Sequence, residues 1–103
     1  MNKVYKLRFL PIFEKDLIDA ANYITSNLQN PEAAYRLVDE IEHAIDKRLD
    51  NPLIVSPYKS NKFRKYPYYR INVRNFSIFY VVIGDIMEIR RLIYAKRDID
   101  NLL

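Results

Sequence analysis

The chain has 103 residues, half of them apolar, enough for one hydrophobic core and too few for two, so a single domain spanning residues 1–103 is expected. It carries no Cys, one His and a net charge of +4, which excludes disulfide frameworks and thiolate metal sites and fits a reducing cytoplasm. No apolar run reaches the roughly 20 residues of a membrane helix, and Met1-Asn2-Lys3-Val4-Tyr5 lacks a signal-peptide core, so a cytoplasmic location and no membrane contact are expected.

The charge is unevenly spread. Up to Val55 there are seven Lys/Arg against nine Asp/Glu, a net −2, and from Ser56 onward ten against four, a net +6. A basic C-terminal half favours a polyanion or an acidic protein as partner.

Residues 4–9 alternate, with Tyr5, Leu7 and Phe9 on one side and Lys6 and Arg8 on the other, the pattern of a half-buried strand that Pro11 ends. From Phe13 the apolar positions Phe13, Leu17, Ala20/Ala21, Ile24 and Leu28 form a helical stripe, and the helix should stop near Asn27. A second helix begins at Asn30-Pro31-Glu32, with Asn as N-cap, Pro at the first helical position and an acid facing the helix dipole. Its stripe is Ala34, Leu37/Val38, Ile41, Ala44/Ile45 and Leu49, and Asp50-Asn51-Pro52 closes it. A connection of about three residues makes the pair an antiparallel hairpin. Residues 53–67 read as an irregular basic loop carrying Lys59, Lys62, Arg64 and Lys65.

The remainder reads as a three-stranded meander. Gly84-Asp85 is a type II′ hairpin signal, because Gly takes φ > 0 at the first central position. A two-residue turn there pairs Ile83 with Ile86, Val81 with Glu88, Phe79 with Arg90 and Ser77 with Leu92. A turn at Arg74-Asn75 sets Asn72 opposite Ser77 and Arg70 opposite Phe79. Strict alternation then assigns Tyr69, Ile71, Val73, Phe76, Ile78, Tyr80, Val82, Met87, Ile89 and Ile93, interrupted by Arg91, to the face that the helices cover. The face expected to stay open carries Tyr68, Arg70, Asn72, Ser77, Phe79, Val81, Glu88, Arg90, Tyr94 and Lys96. The expected architecture is α+β, in the order β-α-α-β-β-β, with a two-helix hairpin on one face of a small, mainly antiparallel four-stranded sheet. The orientation of the first strand is left open.

That order resembles the RelE/ParE toxins of bacterial type II toxin–antitoxin systems. The likeness rests on residues 13–24 as first helix, Asn30-Pro31-Glu32-Ala33-Ala34 opening the second, Phe76-Ser77-Ile78-Phe79-Tyr80 in the central strand, and Tyr94-Ala95-Lys96-Arg97-Asp98-Ile99 with Leu102-Leu103 at the end. It implies a small toxin neutralised by a cognate antitoxin that wraps it, as a homodimer or a toxin–antitoxin hetero-oligomer. RelE-like members cut messenger RNA on the ribosome, whereas ParE-like members inhibit DNA gyrase, so the scaffold alone leaves the activity open.

Cleavage of RNA from its own 2′-OH needs a proton acceptor, cations at the phosphate and an acid for the departing oxygen. The resemblance maps one RelE-type arginine onto Arg97 and another onto Ser77, a departure that removes a cation and favours a ParE-like or divergent member. A RelE-like endoribonuclease and a non-toxic basic binding module are the alternatives. Arg70, Arg90, Tyr94 and Arg97 are the candidate catalytic groups, and Lys62, Arg64, Lys65, Arg74 and Lys96 the candidate contacts for nucleic acid or another target. Glu88 reads foremost as an arginine partner, and His43 as a histidine on the surface or core edge of the second helix. No metal-ligand spacing or glycine-rich phosphate loop is present, and no cofactor is expected.

Overall fold

Pro11 opens a helix as well as closing a strand. Its fixed φ suits the first helical position, where the missing N–H would have no partner anyway. The computed structural model describes residues 3–60 and 62–103, so Met1 and Asn2 of the N-terminal reading and Asn61 of the basic loop lie outside the described residues. Its elements are β1 (Lys6–Phe9), α1 (Pro11–Ser26), α2 (Pro31–Leu49), β2 (Tyr69–Val73), β3 (Phe76–Ile83), β4 (Ile86–Tyr94) and α3 (Ile99–Leu102). The Asn30 side chain accepts the Ala33 N–H at 3.1 Å, which caps α2 as its sequence requires. The short α3 was not expected, although Ile99, Leu102 and Leu103 have the spacing of a helical apolar face.

The four strands lie in the order β1-β4-β3-β2. β1 is an edge strand and runs parallel to β4, with Lys6 opposite Ile86 and Phe9 opposite Ile89, while the other pairings are antiparallel. The sheet is therefore mixed and the fold α+β. Gly84 has φ +61 and Asp85 does not share a positive φ, as a type II′ turn demands. Arg70 faces Phe79 and Asn72 faces Ser77, the expected register.

The helices cover one face. Phe13 of α1 and Leu37, Ile41 and Ile45 of α2 pack with Ile71, Val73, Ile78, Tyr80, Met87, Ile89 and Leu92 in the main core. At its edge the Tyr80 hydroxyl donates to the Pro52 carbonyl at 2.5 Å and accepts from Arg48 at 3.1 Å, so a large buried ring keeps its polar atom satisfied.

Two expectations are corrected. A β-bulge lies between Phe79 and Tyr80, so Tyr80 faces Ile89 but Phe79 faces Arg91 and Ser77 faces Ile93, one residue beyond the regular ladder. The extra residue is Arg90. Beyond it Leu92 joins the main core and Ile93 the opposite side, the reverse of strict alternation. The bulge also gives each of two adjacent arginines its own carboxylate: Arg90 reaches Glu88 at 2.8 Å and Arg91 reaches Asp16 of α1 at 2.8 Å.

The second correction concerns the face expected to be open. Tyr68, Phe79, Val81, Ile93 and Ile99 form a second buried cluster, on which Tyr58, Tyr66, Ile83, Leu102 and Leu103 pack. The loop before β2 and the α3 segment fold back over this face. A central strand with apolar residues on both sides needs cover on both sides, and these two segments supply it.

Candidate functional site

On the second face, Arg70 donates from Nε to Asn72 Oδ1 at 2.9 Å and to Ser77 Oγ at 2.8 Å, and Ser77 Oγ donates to Asn72 Oδ1 at 2.9 Å. The Arg70 guanidinium lies 5.7 Å from the Tyr58 ring and 5.6 Å from the Phe79 ring. Ser77, fully buried, thus holds an arginine from the neighbouring strand beside the position where the resemblance expected a cation. Tyr58 meets Phe79 edge-on at 5.2 Å and donates its hydroxyl to Asp100 at 3.1 Å. Burial and then this bond to Asp100 push the Tyr58 pKa up.

Arg90 and Arg64 both lie over the Tyr68 ring, at 5.8 and 4.8 Å. Arg64 also donates to the Leu103 carbonyl at 3.1 Å. Glu88 accepts from Arg90 Nε at 2.8 Å and from Arg8 Nε at 2.7 Å. Burial pushes the Glu88 carboxyl up, but the hydrogen bonds from Arg90 and Arg8 outweigh it and hold its pKa below the ordinary value. A carboxylate gripped by two guanidinium groups is a poor proton acceptor at neutral pH, so Glu88 is an arginine partner.

A groove of about 870 Å³ lies on the helix side, between α1, the start of α2 and the far ends of β3 and β4. Tyr23 and Leu28 border it, with Phe76 and Tyr94 on the sheet side. Tyr94, carried across by the bulge, lies 5.7 Å from Phe76 at an interplanar angle of 59°. Arg74, Arg97 and Asp19 add charge to the walls. Asp16 accepts from Arg91 and from the Leu92 N–H at 3.0 Å, while Arg91 also donates to the Leu102 carbonyl at 2.7 Å.

The candidate catalytic groups are therefore divided. Arg70 and Arg90 lie together on the covered face, each held by a neighbour, whereas Tyr94 and Arg97 line the groove on the other side. Tyr94 thus leaves the face to which alternation had assigned it. Lys62, Lys65 and Lys96 are exposed, and Arg64 is tucked against Tyr68. Arg74 is pinned to Glu40 of α2 by bonds of 2.5 and 2.7 Å. His43 is an exposed helix residue whose pKa is raised by its bond to the Asp39 carbonyl. No group of three or more potential metal ligands occurs among the described residues, and no helix among them is long and apolar enough to cross a membrane. The roles of Arg91 and Tyr58 were missed. The bulge hid the first, and the second depends on an irregular loop whose return to the sheet leaves no periodic signal.

The sequence matches the family model of the ParE toxin of type II toxin–antitoxin systems over residues 7–99. Among curated proteins none matches significantly. The fold is similar to that of the chromosomal ParDE toxin–antitoxin system of P. aeruginosa, with a TM-score of 0.74 at 16% identity over 91% of this chain and 99% of the other. It is also similar to a chain of the RelB–RelE antitoxin–toxin complex of Methanococcus jannaschii, with a TM-score of 0.51 at 27% identity over 93% of this chain and 99% of the other.

Proposed function

Because the chain belongs to the ParE toxin family of type II toxin–antitoxin systems, we propose that it arrests growth by inhibiting DNA gyrase rather than by cutting RNA. The carrying observation is the covered second face. Ser77, Phe79 and Val81 expose nothing there, Arg70 commits its Nε to Asn72 and Ser77, and Glu88 is gripped by both Arg90 and Arg8. A self-cleaving phosphodiester needs an accessible base, and Glu88, held between two guanidinium groups, does not supply one.

The helix-side groove is the natural seat for a cognate antitoxin. Its apolar border of Tyr23, Leu28 and Tyr94 suits one face of an amphipathic segment, and Arg97 suits that segment's acids.

Purified protein is expected to abolish supercoiling by gyrase in vitro, with filamentation and an SOS response in cells, and to leave transcripts whole. Ribosome-associated cuts in transcripts mapped after induction, together with normal supercoiling, would overturn the gyrase assignment. Tyr94→Asp, which puts a charge in the groove, is expected to arrest growth even when the cognate antitoxin is co-expressed. Full neutralisation of that variant would count against the groove as the antitoxin's seat.

A further inference from the structure

Residues 51–84 contain six Lys/Arg and no Asp or Glu, the longest stretch of the chain without an acid. Part of it forms the loop before β2, where Phe63 is 97% exposed. Leaving so large an apolar ring in water forgoes the stabilisation that burying it would bring. A single exposed apolar residue is ordinary on a protein surface. Phe63 stands apart because of how the chain on either side of it is fixed.

On one side, Tyr58 is anchored by Phe79, by Asp100 and by its own N–H, which donates to the Tyr68 carbonyl at 2.7 Å. On the other, Arg64 lies on the Tyr68 ring and donates to the Leu103 carbonyl, and Tyr66 packs on the second cluster. Within the loop the Lys62 N–H donates to Ser60 Oγ at 3.2 Å. With Arg64 turned inward onto Tyr68, the Phe63 ring is left facing water. An aromatic ring that packs on nothing in its own chain gives up no contact when it enters a partner's pocket, the position of an interface hot spot.

We propose that this loop is the surface by which the toxin grips its protein target, with Phe63 entering an apolar pocket and Lys59 and Lys62 meeting acidic groups on the pocket's rim. The inference rests on the toxin reading and not on gyrase as the target. A protein fits better than a nucleic acid for two reasons. Single strands are gripped by successive aromatic rings, yet Tyr58, Tyr66 and Tyr68 all turn inward and leave Phe63 alone. Arg64 is also turned away from the tip, with Nη1 on the Leu103 carbonyl and Nε and Nη2 buried, and Arg70 lies on the sheet beneath, which leaves lysines as the cations of the tip. The helix-side groove shares no residue with this loop, so an antitoxin there and a target here occupy separate surfaces.

The test compares wild type, Phe63→Ala and the double variant Lys59→Glu/Lys62→Glu for growth arrest, for binding to purified gyrase and for binding to a labelled single-stranded oligonucleotide. Thermal unfolding serves as the fold control. Phe63→Ala is expected to raise the inducer needed for half-maximal arrest about tenfold or more, with its melting temperature unchanged. The double variant is expected to weaken arrest as well, by slowing a salt-sensitive association. Arrest by folded variants at wild-type levels overturns the proposal, and so does oligonucleotide binding that depends on Phe63. Wild-type gyrase binding that Phe63→Ala retains sinks this inference alone. Arrest that depends on Phe63 without gyrase binding upholds the loop and removes gyrase as the target.

Discussion

Glu88 lies between Arg8 and Arg90 with its side chain 6% exposed, and its charge is what keeps two guanidinium groups on one strip of sheet. Its folded pKa is depressed below the ordinary 4.5, so its contribution is complete above that value and is lost as pH falls through the lower folded one. Glu88→Gln is therefore expected to flatten the loss of stability below about pH 4.5. It should also cost about 2 kcal/mol at pH 7, read from urea midpoints between pH 3 and 7. An acid limb as steep as that of wild type would show that other carboxylates govern it. The pairing of Glu88 with an arginine was readable from the strand pattern, because Arg90 stands two residues away and Arg8 comes from a strand of the same alternation. The fate of Ser77 was not. Its burial beneath Arg70 depends on the cover given by Tyr58, and no local spacing reports a contact made across a loop.

At the scale of elements, boundaries followed from local chemistry wherever a capping or turn residue stood at them. Asn30 caps α2, and Asn30→Ala is expected to cost about 1 kcal/mol by thermal or chemical unfolding, since one N–H at the first turn loses its acceptor. Gly84 has nothing within 4 Å of where a Cβ would stand, so Gly84→Ala tests backbone alone. Holding an L-residue at φ +61 costs about 1–2 kcal/mol, and a stability loss near zero would mean that the turn had changed type. β4 was harder to read because a bulge changes alternation without changing composition. Adjacent Arg90 and Arg91 mark the place: two cations in a row on a central strand have to find carboxylates on two sides. Tyr94 and Ile93 were misassigned for this one reason, and α3 was passed over because four residues make too short a periodic signal.

At the scale of the molecule, Arg91 joins parts that are far apart in the chain. It bonds Asp16 of α1 and the Leu102 carbonyl of α3, so the groove wall and the cover of the second face share one side chain. Arg91→Ala is expected to cost about 3 kcal/mol, because the largely buried Asp16 carboxylate then keeps only the Leu92 N–H as a partner. It should also speed hydrogen exchange at residues 99–103 beyond the global change; equal acceleration everywhere would deny the link. Sheet order supplies another long connection. β1 pairs only with β4, so Arg8 waits for Glu88, which follows it 80 positions later. At about 5–20 residues per second that is a delay of about 4–16 s during synthesis, throughout which the edge of the sheet stays unformed. Nascent chains that stall before β4 lack both the covered face and the wall of the groove, and arrest by such fragments is not expected. Because β4 is the last strand to emerge and lies between β1 and β3, the sheet closes only when synthesis is nearly complete.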